Sequence, residues 1–440
     1  MPRILRENVL CALLAAGCSV VMGWLGLYSF AWNDYETEAR PSFEALAHGH
    51  LVRFLQLAPA YGGSLVERGP FALLAGLSGG GSLTVYRMVA VPCLLAIAAL
   101  GVWICARMRA EGRSVLARAV AMFICVANPV TLGALELGHP EELLGACMCV
   151  AAVALASRDH PIWAGVLLGM AIANKEWALL AAGPVLLALP GGLARRTTRA
   201  RRNYSKILVC SVSACATAAL VLAPLVLVAG GRFAAGARAV AVIGGTQFQP
   251  RQIWWFFGTH GPLVHGTFGN KLPGYRIGPA WIAQTSHPLI IVLGLGLAVG
   301  LWLARTHQRR AVSERDAMLL LALVLLLRCI LDTWDIGYYM LPFTIALLAW
   351  EVRGASRPPM VTLVAAVLPW FLLQELAGHG IGPDAQAALF IAWTVPLAVW
   401  LGVRLFAGEQ AALAPHLSRN DYVHTQESAV GVLGTLAPSA

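Results

Sequence analysis

Three carboxylates, Asp34, Glu36 and Glu38, lie close together in the segment WNDYETEAR (32–40), directly after the apolar run 9–31. The chain has only 22 Asp and Glu among 440 residues, so this is a local concentration of acids. A carboxylate in a partly desolvated place can act as a general base, because desolvation raises its pKa towards neutrality. The alternative is that these acids simply mark where a helix leaves the membrane for water.

Polar residues also interrupt or end several other apolar runs, where ionisable groups are costly and tend to be functional. They lie in GHPEELLG (138–145), ANKEW (173–177) and LLRCILDTWDIGYYMLP (326–342). If these segments meet at one face, they predict a polar cavity open to that face. The residues expected there include Glu67, Arg68, Arg87, His139, Glu141, Glu142, Lys175, Arg328, Asp335 and Tyr338.

Each of these groups also has a structural alternative. The segment 138–145 suits a helix start, with a proline near the first turn and two glutamates favoured by the helix dipole. The cations have alternatives too: an ion pair of Lys175 with Glu176, extension of Arg87 towards lipid headgroups, and an intrahelical pair of Arg328 with Asp332.

The elements that must position these groups are membrane helices. The chain is 58% hydrophobic and 12% charged, whereas soluble domains have roughly 25% charged residues. The first apolar run is too long for a signal peptide and lacks a small-residue cleavage site. The sequence therefore predicts an integral membrane protein whose N-terminus is cytoplasmic.

Charge asymmetry predicts the topology. A single helix over 162–190 would place Lys175 at mid-depth, whereas a hairpin with Lys175 at its outer tip keeps most of the 32 Lys and Arg cytoplasmic. The hairpin predicts an all-α polytopic fold of about twelve transmembrane helices with both ends cytoplasmic. The other spans are expected near 9–31, 83–106, 115–133, 141–157, 207–230, 289–304, 317–331, 339–350, 360–377 and 386–406.

Two long outer loops are predicted, at 32–82 and 231–288, within a transmembrane domain covering residues 1–407. In the first loop, residues 41–58 have apolar side chains that suit one helix lying along the membrane surface. In the second loop, Trp254 and Trp255 suit the headgroup zone. The polar segment 408–440 is expected to be a poorly ordered cytoplasmic tail.

The cysteines and the net charge point to no further chemistry. All ten cysteines fall in predicted spans and are interpreted as small buried hydrophobes. Their spacing predicts neither a metal site nor a disulfide framework. The net charge of +10 comes mainly from basic loops that orient the chain and contact anionic lipid, so no nucleic-acid partner is expected.

Over most of residues 20–350, the arrangement resembles the GT-C superfamily of polytopic glycosyltransferases that use polyprenyl-phosphate sugars. It is most similar to the bacterial branch of mannosyl- and arabinofuranosyltransferases. This chain has His139 and Glu141 where relatives often carry an amide, Gln with Asn. The features that carry the resemblance are Asp34 after the first helix, the surface helices that follow, Asn128-Pro129 with GHPEELLG, the segment 164–189 and DTWDIGYYMLP (332–342).

The resemblance implies an inverting transfer, most simply of mannose, from a polyprenyl-phosphate donor to a glycolipid or polysaccharide acceptor on the outer face of the cell membrane. Asp34 takes the family's position for the general base, with Glu36 as a helper. No cofactor and no obligatory divalent metal are expected, because the donor has one phosphate. Donor-phosphate contacts are assigned to Arg87, Lys175, Arg251, His260 and Arg328. Sugar or acceptor contacts are assigned to His139, Glu141, Glu142, Trp254, Trp255, Asp335 and Tyr338.

Three other functions stay open, and one of them is a non-catalytic envelope protein. An arabinofuranosyltransferase of the same superfamily would share the motifs, and a flippase or transporter of lipid-linked sugar would share the helix number. Carriers typically have ionisable residues near the midplane and repeated halves. The sequence shows no repeat between its halves, which favours the enzyme.

Overall fold

The chain folds almost entirely into helices. The structure, a computed structural model, describes residues 3–190, 198–243, 247–260, 264–265, 271–272, 276–333, 337–354, 357–372 and 380–407. About 81% of these residues are helical, which confirms the predicted all-α class. Asp335 and the tail 408–440 lie outside the described residues, so their predictions stay untested.

In chain order, the helices are α1 (Arg3–Gly26), a π-helix (Tyr35–Ala39), α2 (Arg40–Ala47), α3 (Leu51–Leu57), α4 (Gly62–Leu77), α5 (Ser82–Ala110), α6 (Val115–Val126), α7 (Pro129–Glu136), α8 (Glu141–Ser157), α9 (Pro161–Asn174), a 3-10 turn (Glu176–Ala181), α10 (Ala182–Ala188), α11 (Thr198–Ile243), α12 (Ala280–His307), α13 (Glu314–Leu331), α14 (Met340–Glu351), α15 (Met360–Trp370) and α16 (Pro383–Ala407). Further 3-10 turns span Trp255–Phe257 and Gly337–Tyr339.

Six helical stretches of the described chain are long and apolar enough to cross a membrane. This number supports a membrane-embedded protein, and the count of about twelve spans remains a prediction. Three shorter apolar helices, Pro161–Asn174, Glu176–Ala188 and Met360–Trp370, accompany them. The six stretches are Glu7–Gly26, Ser82–Ala110, Val115–Glu136, Tyr204–Arg232, Ala280–His307 and Pro383–Ala407.

Local sequence explains where several helices begin. The side chain of Ser114 caps α6 and that of Asn128 caps α7, each accepting a hydrogen bond from a backbone N–H three residues later. At α13, Ser313 and Asp316 form a reciprocal capping box. These caps satisfy N–H groups that would otherwise lack partners at the helix ends.

Small residues let α9 and α11 pack closely. Gly165 lies against the backbone of Cys210, and Gly169 lies against that of Ala214. The pairs advance together along both helices, so α9 and α11 run in the same direction. Small residues at such contacts are typical of membrane helices, because they allow the backbones to approach.

The chain reverses direction at Lys175. Its backbone is extended (φ −153°, ψ 136°) and interrupts the helical run between α9 and the 3-10 turn. Beyond it, Leu180 lies near Gly294 and Gly183 lies against Ala298, so α10 runs parallel to α12. The C-terminal end of α13 lies near the start of α8. The helices α12 and α13 are joined by a short turn and run in opposite directions, as do α8 and α9. Since α13 runs towards the end of the bundle where α8 starts, α9 also runs towards that end. The helices α12 and α10 run away from it, opposite to α9. The segment 162–190 therefore forms the hairpin that the charge distribution predicts.

The first predicted loop contains the π-helix and the helices α2, α3 and α4, and its expected surface helix is interrupted. The expected helix over 41–58 is divided into α2 and α3 at Gly49, whose φ of +81° ends the first helix. Phe43, Leu46 and Phe54 are buried as the pattern predicts, and Leu57 is half-buried. The single-helix prediction is wrong because one glycine in the left-handed region outweighs the apolar pattern.

The second predicted loop, 231–288, is shorter than expected because helices enter it from both sides. After a kink at Ala229 (φ −130°, ψ 21°), helical backbone continues to Ile243, and α12 begins at Ala280. Between them, short antiparallel strands pair β1 (Gln247–Phe248) and β2 (Thr259–His260) with β5 (Arg276–Ile277), and β3 (Val264–His265) with β4 (Lys271–Leu272). This region therefore adds a small cap to one end of the helical bundle.

Candidate active site

Asp34 is held at the edge of the bundle by a close contact between two turns. Its backbone N–H donates to the carbonyl oxygen of Leu137 at 3.2 Å. Gly138 has φ +89°, and a Cβ there would lie 2.6 Å from the backbone nitrogen of Tyr35. The approach therefore requires glycine. It brings His139 beside Asp34.

A chain of hydrogen bonds joins three of the predicted site residues. His139 Nε2 lies 3.0 Å from Asp34 Oδ2, and His139 Nδ1 lies 2.8 Å from Glu141 Oε1. The Asp34 side chain is 45% exposed, whereas that of Glu141 is 1% exposed. This chain of hydrogen bonds thus runs from a carboxylate that solvent or substrate can reach to a carboxylate that is buried inside the protein.

His139 is favoured in its charged form. Burial and the nearby Lys175 both lower its pKa, but Glu141 and the hydrogen bonds to Asp34 and Glu141 outweigh them, so its pKa rises to about 8. As an imidazolium it donates one hydrogen bond to each carboxylate. Its ring also stacks on Tyr338, with centroids 4.5 Å apart, which fixes its plane.

Two buried cations compensate the inner carboxylates. Arg68 Nη2 lies 3.1 Å from Glu141 Oε2, and Arg68 also donates to the backbone carbonyl and hydroxyl of Ser64. Lys175 Nζ lies 3.3 Å from Glu141 Oε1 and 3.4 Å from Glu142 Oε1. Lys175 therefore pairs across the bundle, whereas no ion pair joins it to the exposed neighbour Glu176 in the described structure.

Arg328 lies near Glu142 and has a guanidinium nitrogen that makes no hydrogen bond. Its guanidinium packs over the rings of Tyr339 (4.2 Å) and Trp177 (5.5 Å). Its Nη1 is buried without a hydrogen-bond partner, as are both carboxylate oxygens of Glu142. Buried polar atoms without partners are uncommon and mark places where a ligand or water can bind.

The other acids of the first loop have structural partners. Glu36 Oε2 accepts the backbone N–H of Trp32 at 3.0 Å, where Trp32 adopts a left-handed φ of 70°. Glu38 accepts the hydroxyl of Tyr61 at 2.5 Å. Glu36 thus stabilises the turn before Asp34 and makes no contact with the His139 chain among the described residues. Its predicted role as a catalytic helper is not supported by this position.

Two predicted phosphate ligands occupy different places. Arg87 Nε donates to the carbonyl oxygen of Leu27 at 3.0 Å, so it closes the end of α1, and its assignment to the donor phosphate stays a prediction. Arg251 lies beside Gly337, with Nη1 3.6 Å from the position of an added Cβ, and is therefore near Tyr338. Arg251 remains a candidate at the rim of the site.

The strand-rich cap holds the remaining aromatic predictions away from Asp34. Trp255 is fully buried and its indole N–H donates to Asp384 at 2.8 Å, so it is not available to stack on a sugar. Trp254 donates to the carbonyl oxygen of Leu331 at 2.7 Å and is half-buried. His260 is exposed on β2, opposite Arg276. These residues shape the cap, and the described contacts do not join them to the hydrogen-bond chain.

Three residues that build the site are not among the residues to which the sequence patterns assign a role in it. Arg68 pairs with Glu141, Tyr61 contacts both Glu38 and Lys175, and Asn174 donates to the backbone carbonyl of Glu141 at 3.0 Å. A usable signal is present for Arg68, because an arginine in a helix with a buried face requires a buried anion.

The described residues include no group of three or more His, Cys, Asp or Glu placed to hold a metal ion. The carboxylates of the site pair with cations instead, as expected for groups that compensate each other's charge.

Comparison with models of protein families gives no match for this chain, and comparison with curated proteins gives none either. The residues of the site therefore have to carry any functional conclusion.

Proposed function

We propose that the protein is an integral membrane glycosyltransferase that transfers a sugar from a polyprenyl-phosphate donor to a hydroxyl acceptor at the outer face of the cell membrane. The observation that carries the proposal is the hydrogen-bonded chain Asp34–His139–Glu141, whose reachable end is a half-exposed carboxylate. The resemblance to the GT-C superfamily supports the same reaction.

Asp34 is the proposed general base. The acceptor hydroxyl attacks C1 of the sugar, its proton passes to Asp34, and the bond from C1 to the phosphate oxygen breaks. The electron pair leaves with polyprenyl phosphate. One base and direct displacement imply inversion at C1, through a transition state like the oxocarbenium ion of glycoside hydrolysis.

His139 is a positioning residue in this scheme. It holds Oδ2 of Asp34 by a charge-assisted hydrogen bond, so the other oxygen is directed to the substrate. Glu141 keeps the imidazolium charged and is itself fixed by Arg68 and Lys175. This arrangement keeps the base in one orientation before the substrate binds.

Arg328 is the best-supported contact for the donor phosphate. Its buried Nη1 lacks a protein acceptor, and a phosphate oxygen would supply the missing hydrogen bond. Lys175 already pairs with two carboxylates, so fewer of its hydrogen-bond donors are free for a phosphate. It contributes mainly to the electrostatic potential of the site. We assign the mannose preference and the acceptor class as expectations of the resemblance only.

The test is a transfer assay on the purified full chain with polyprenyl-phosphate mannose and polyprenyl-phosphate arabinofuranose. We expect a new glycosidic bond from one donor, with release of polyprenyl phosphate and turnover that persists in EDTA. Movement of labelled lipid across the bilayer without a new bond would instead identify a carrier. Transfer from arabinofuranose alone would select the other enzyme of the same superfamily.

A further inference from the structure

A second cluster of charge lies at the opposite end of the bundle from Asp34. α8 begins at Glu141 in the site and ends next to Arg158. There three guanidinium groups converge on the indole of Trp103, with distances to the ring of 6.0 Å for Arg107, 5.5 Å for Arg158 and 5.4 Å for Arg353. They come from three different helix ends.

These guanidiniums have too few anionic partners in the protein. Glu314 pairs with Arg107 at 3.5 Å and also with Arg353. Arg158 is exposed and pairs with no carboxylate in the part of the chain that the structure describes. Arg353 is 9% exposed, and its Nη2 is buried without a hydrogen-bond partner. Two of the three cations therefore share one carboxylate and the third pairs with none, which leaves like charges close together.

The surroundings indicate which anion would compensate them. The cluster lies at the ends of apolar helices, which is the depth of lipid headgroup phosphates. Next to Arg158, the first turn of α9 presents Ile162 (56% exposed) and Trp163 (64% exposed). A phospholipid would contact both the arginines and these apolar residues. Its phosphate would lie on the guanidiniums and an acyl chain on the apolar side chains.

We propose that Arg107, Arg158 and Arg353 around Trp103 form a binding site for the headgroup of an anionic glycerophospholipid. Arginine suits this role because its planar fork donates two hydrogen bonds to a phosphate. The charge distribution places this end of the bundle in the cytoplasmic leaflet. The site does not depend on the proposed enzymatic function.

The experiment titrates phosphatidylglycerol onto the purified full chain and counts bound lipid by native mass spectrometry. Arg158→Gln is the test variant, since Arg158 is exposed and its loss should not unfold the protein. Arg404→Gln is the matched control, because Arg404 is also an exposed arginine over a single tryptophan, Trp400, at 5.3 Å.

We expect Arg158→Gln to weaken phosphatidylglycerol binding about fivefold, the effect of one cation at the membrane surface. Arg404→Gln should leave it unchanged, and phosphatidylcholine should bind weakly to both. Equal loss in the two variants would mean non-specific attraction, and no loss in either would mean no site. Full displacement of the lipid by inorganic phosphate would identify a site for a free anion. Each of these three results overturns the proposal.

Discussion

At the scale of single residues, the site depends on a histidine whose two ring nitrogens both face carboxylates. His139 lies between the half-exposed Asp34 and the buried Glu141. A neutral imidazole could donate to only one of them, so the geometry itself favours the charged ring. The protonation of His139 therefore links the stability of the fold to the orientation of the base.

This linkage predicts a loss of stability at alkaline pH. The pKa of His139 rises from 6.5 to about 8 on folding. The contribution is thus complete below pH 6.5 and is lost as the pH rises through about 8, with a magnitude of about 2 kcal/mol. Denaturant unfolding of the purified protein across this range should show the decline.

The control is His139→Gln, which keeps a hydrogen-bond donor but cannot titrate. Its free energy of unfolding should be lower than that of the natural protein at pH 6 and should lack the decline. If the decline persists in the variant, another group titrates and the charged His139 is not its source.

The paired cation Lys175 allows a second prediction for a single residue. In Lys175→Met, Glu141 and Glu142 lose a buried partner, so we expect the free energy of unfolding to fall by about 3–5 kcal/mol. Lys206→Met is the control, because Lys206 pairs with Asp159 at the surface and such pairs contribute at most about 1 kcal/mol. Equal, small losses in both variants would show that Lys175 carries no buried ion pair. Thermal unfolding in detergent measures both.

At the scale of elements, the turn between α7 and α8 sets the geometry of the site. Gly138 allows the turn between α7 and α8 to touch the backbone of Tyr35, and this contact sets the distance between His139 and Asp34. The π-helix that follows Asp34 begins at the same contact. The geometry of the site is therefore a property of the turn as much as of its catalytic groups.

Gly138→Ala should therefore damage the site. The left-handed backbone costs about 1–3 kcal/mol for a residue other than glycine, and the clash with Tyr35 adds to this cost. Transfer activity should fall more than stability, because Asp34 and His139 would separate. The expected readouts are denaturant unfolding and turnover measured on the same preparation.

Gly133→Ala is the matched control, because Gly133 is within α7 and an added Cβ there would meet nothing within 4 Å. Alanine should stabilise that helix by about 0.5–1 kcal/mol and leave turnover intact. An active Gly138→Ala protein would mean that the close contact between the turns is not needed.

Helix boundaries could be predicted where the signal is local in the sequence. Contacts between segments that are distant in the sequence could not. The start of α8 at Glu141 follows from its proline and two acids, and the break at Lys175 follows from charge. The division between α2 and α3 depends on the backbone of Gly49, which an apolar pattern does not report. The pairing of Arg68 with Glu141 joins segments far apart in sequence, so no local pattern could give it.

At the scale of the whole molecule, the proposed reaction requires Asp34 to face the extracytoplasmic side of the membrane, and the proposed lipid site requires the arginine cluster to face the cytoplasm. The hairpin at Lys175 returns α10 towards the end of the bundle where Arg158 lies, which agrees with the distribution of basic loops. With a single span over 162–190, the following helices would be inverted and the basic loops 194–206 and 305–315 would face outwards.

Cysteine labelling in sealed vesicles tests this orientation. Ser78→Cys lies in the turn between α4 and α5, and Glu111→Cys lies in the turn between α5 and α6. A membrane-impermeant thiol reagent applied from the extracytoplasmic side should label position 78 and leave position 111 unlabelled, compared with the unsubstituted chain. The reverse pattern would place Asp34 in the cytoplasm and remove the basis of the proposed reaction.

The role of Asp34 as general base is tested by the turnover of Asp34→Asn in the polyprenyl-phosphate sugar transfer assay, measured beside Glu36→Gln. Asparagine keeps the size and polarity of residue 34 but cannot accept the proton. We predict a loss of at least about a hundredfold for Asp34→Asn, with unchanged folding and with near-normal turnover for Glu36→Gln. Full activity of Asp34→Asn would contradict the proposed mechanism, because the general base would then be another residue.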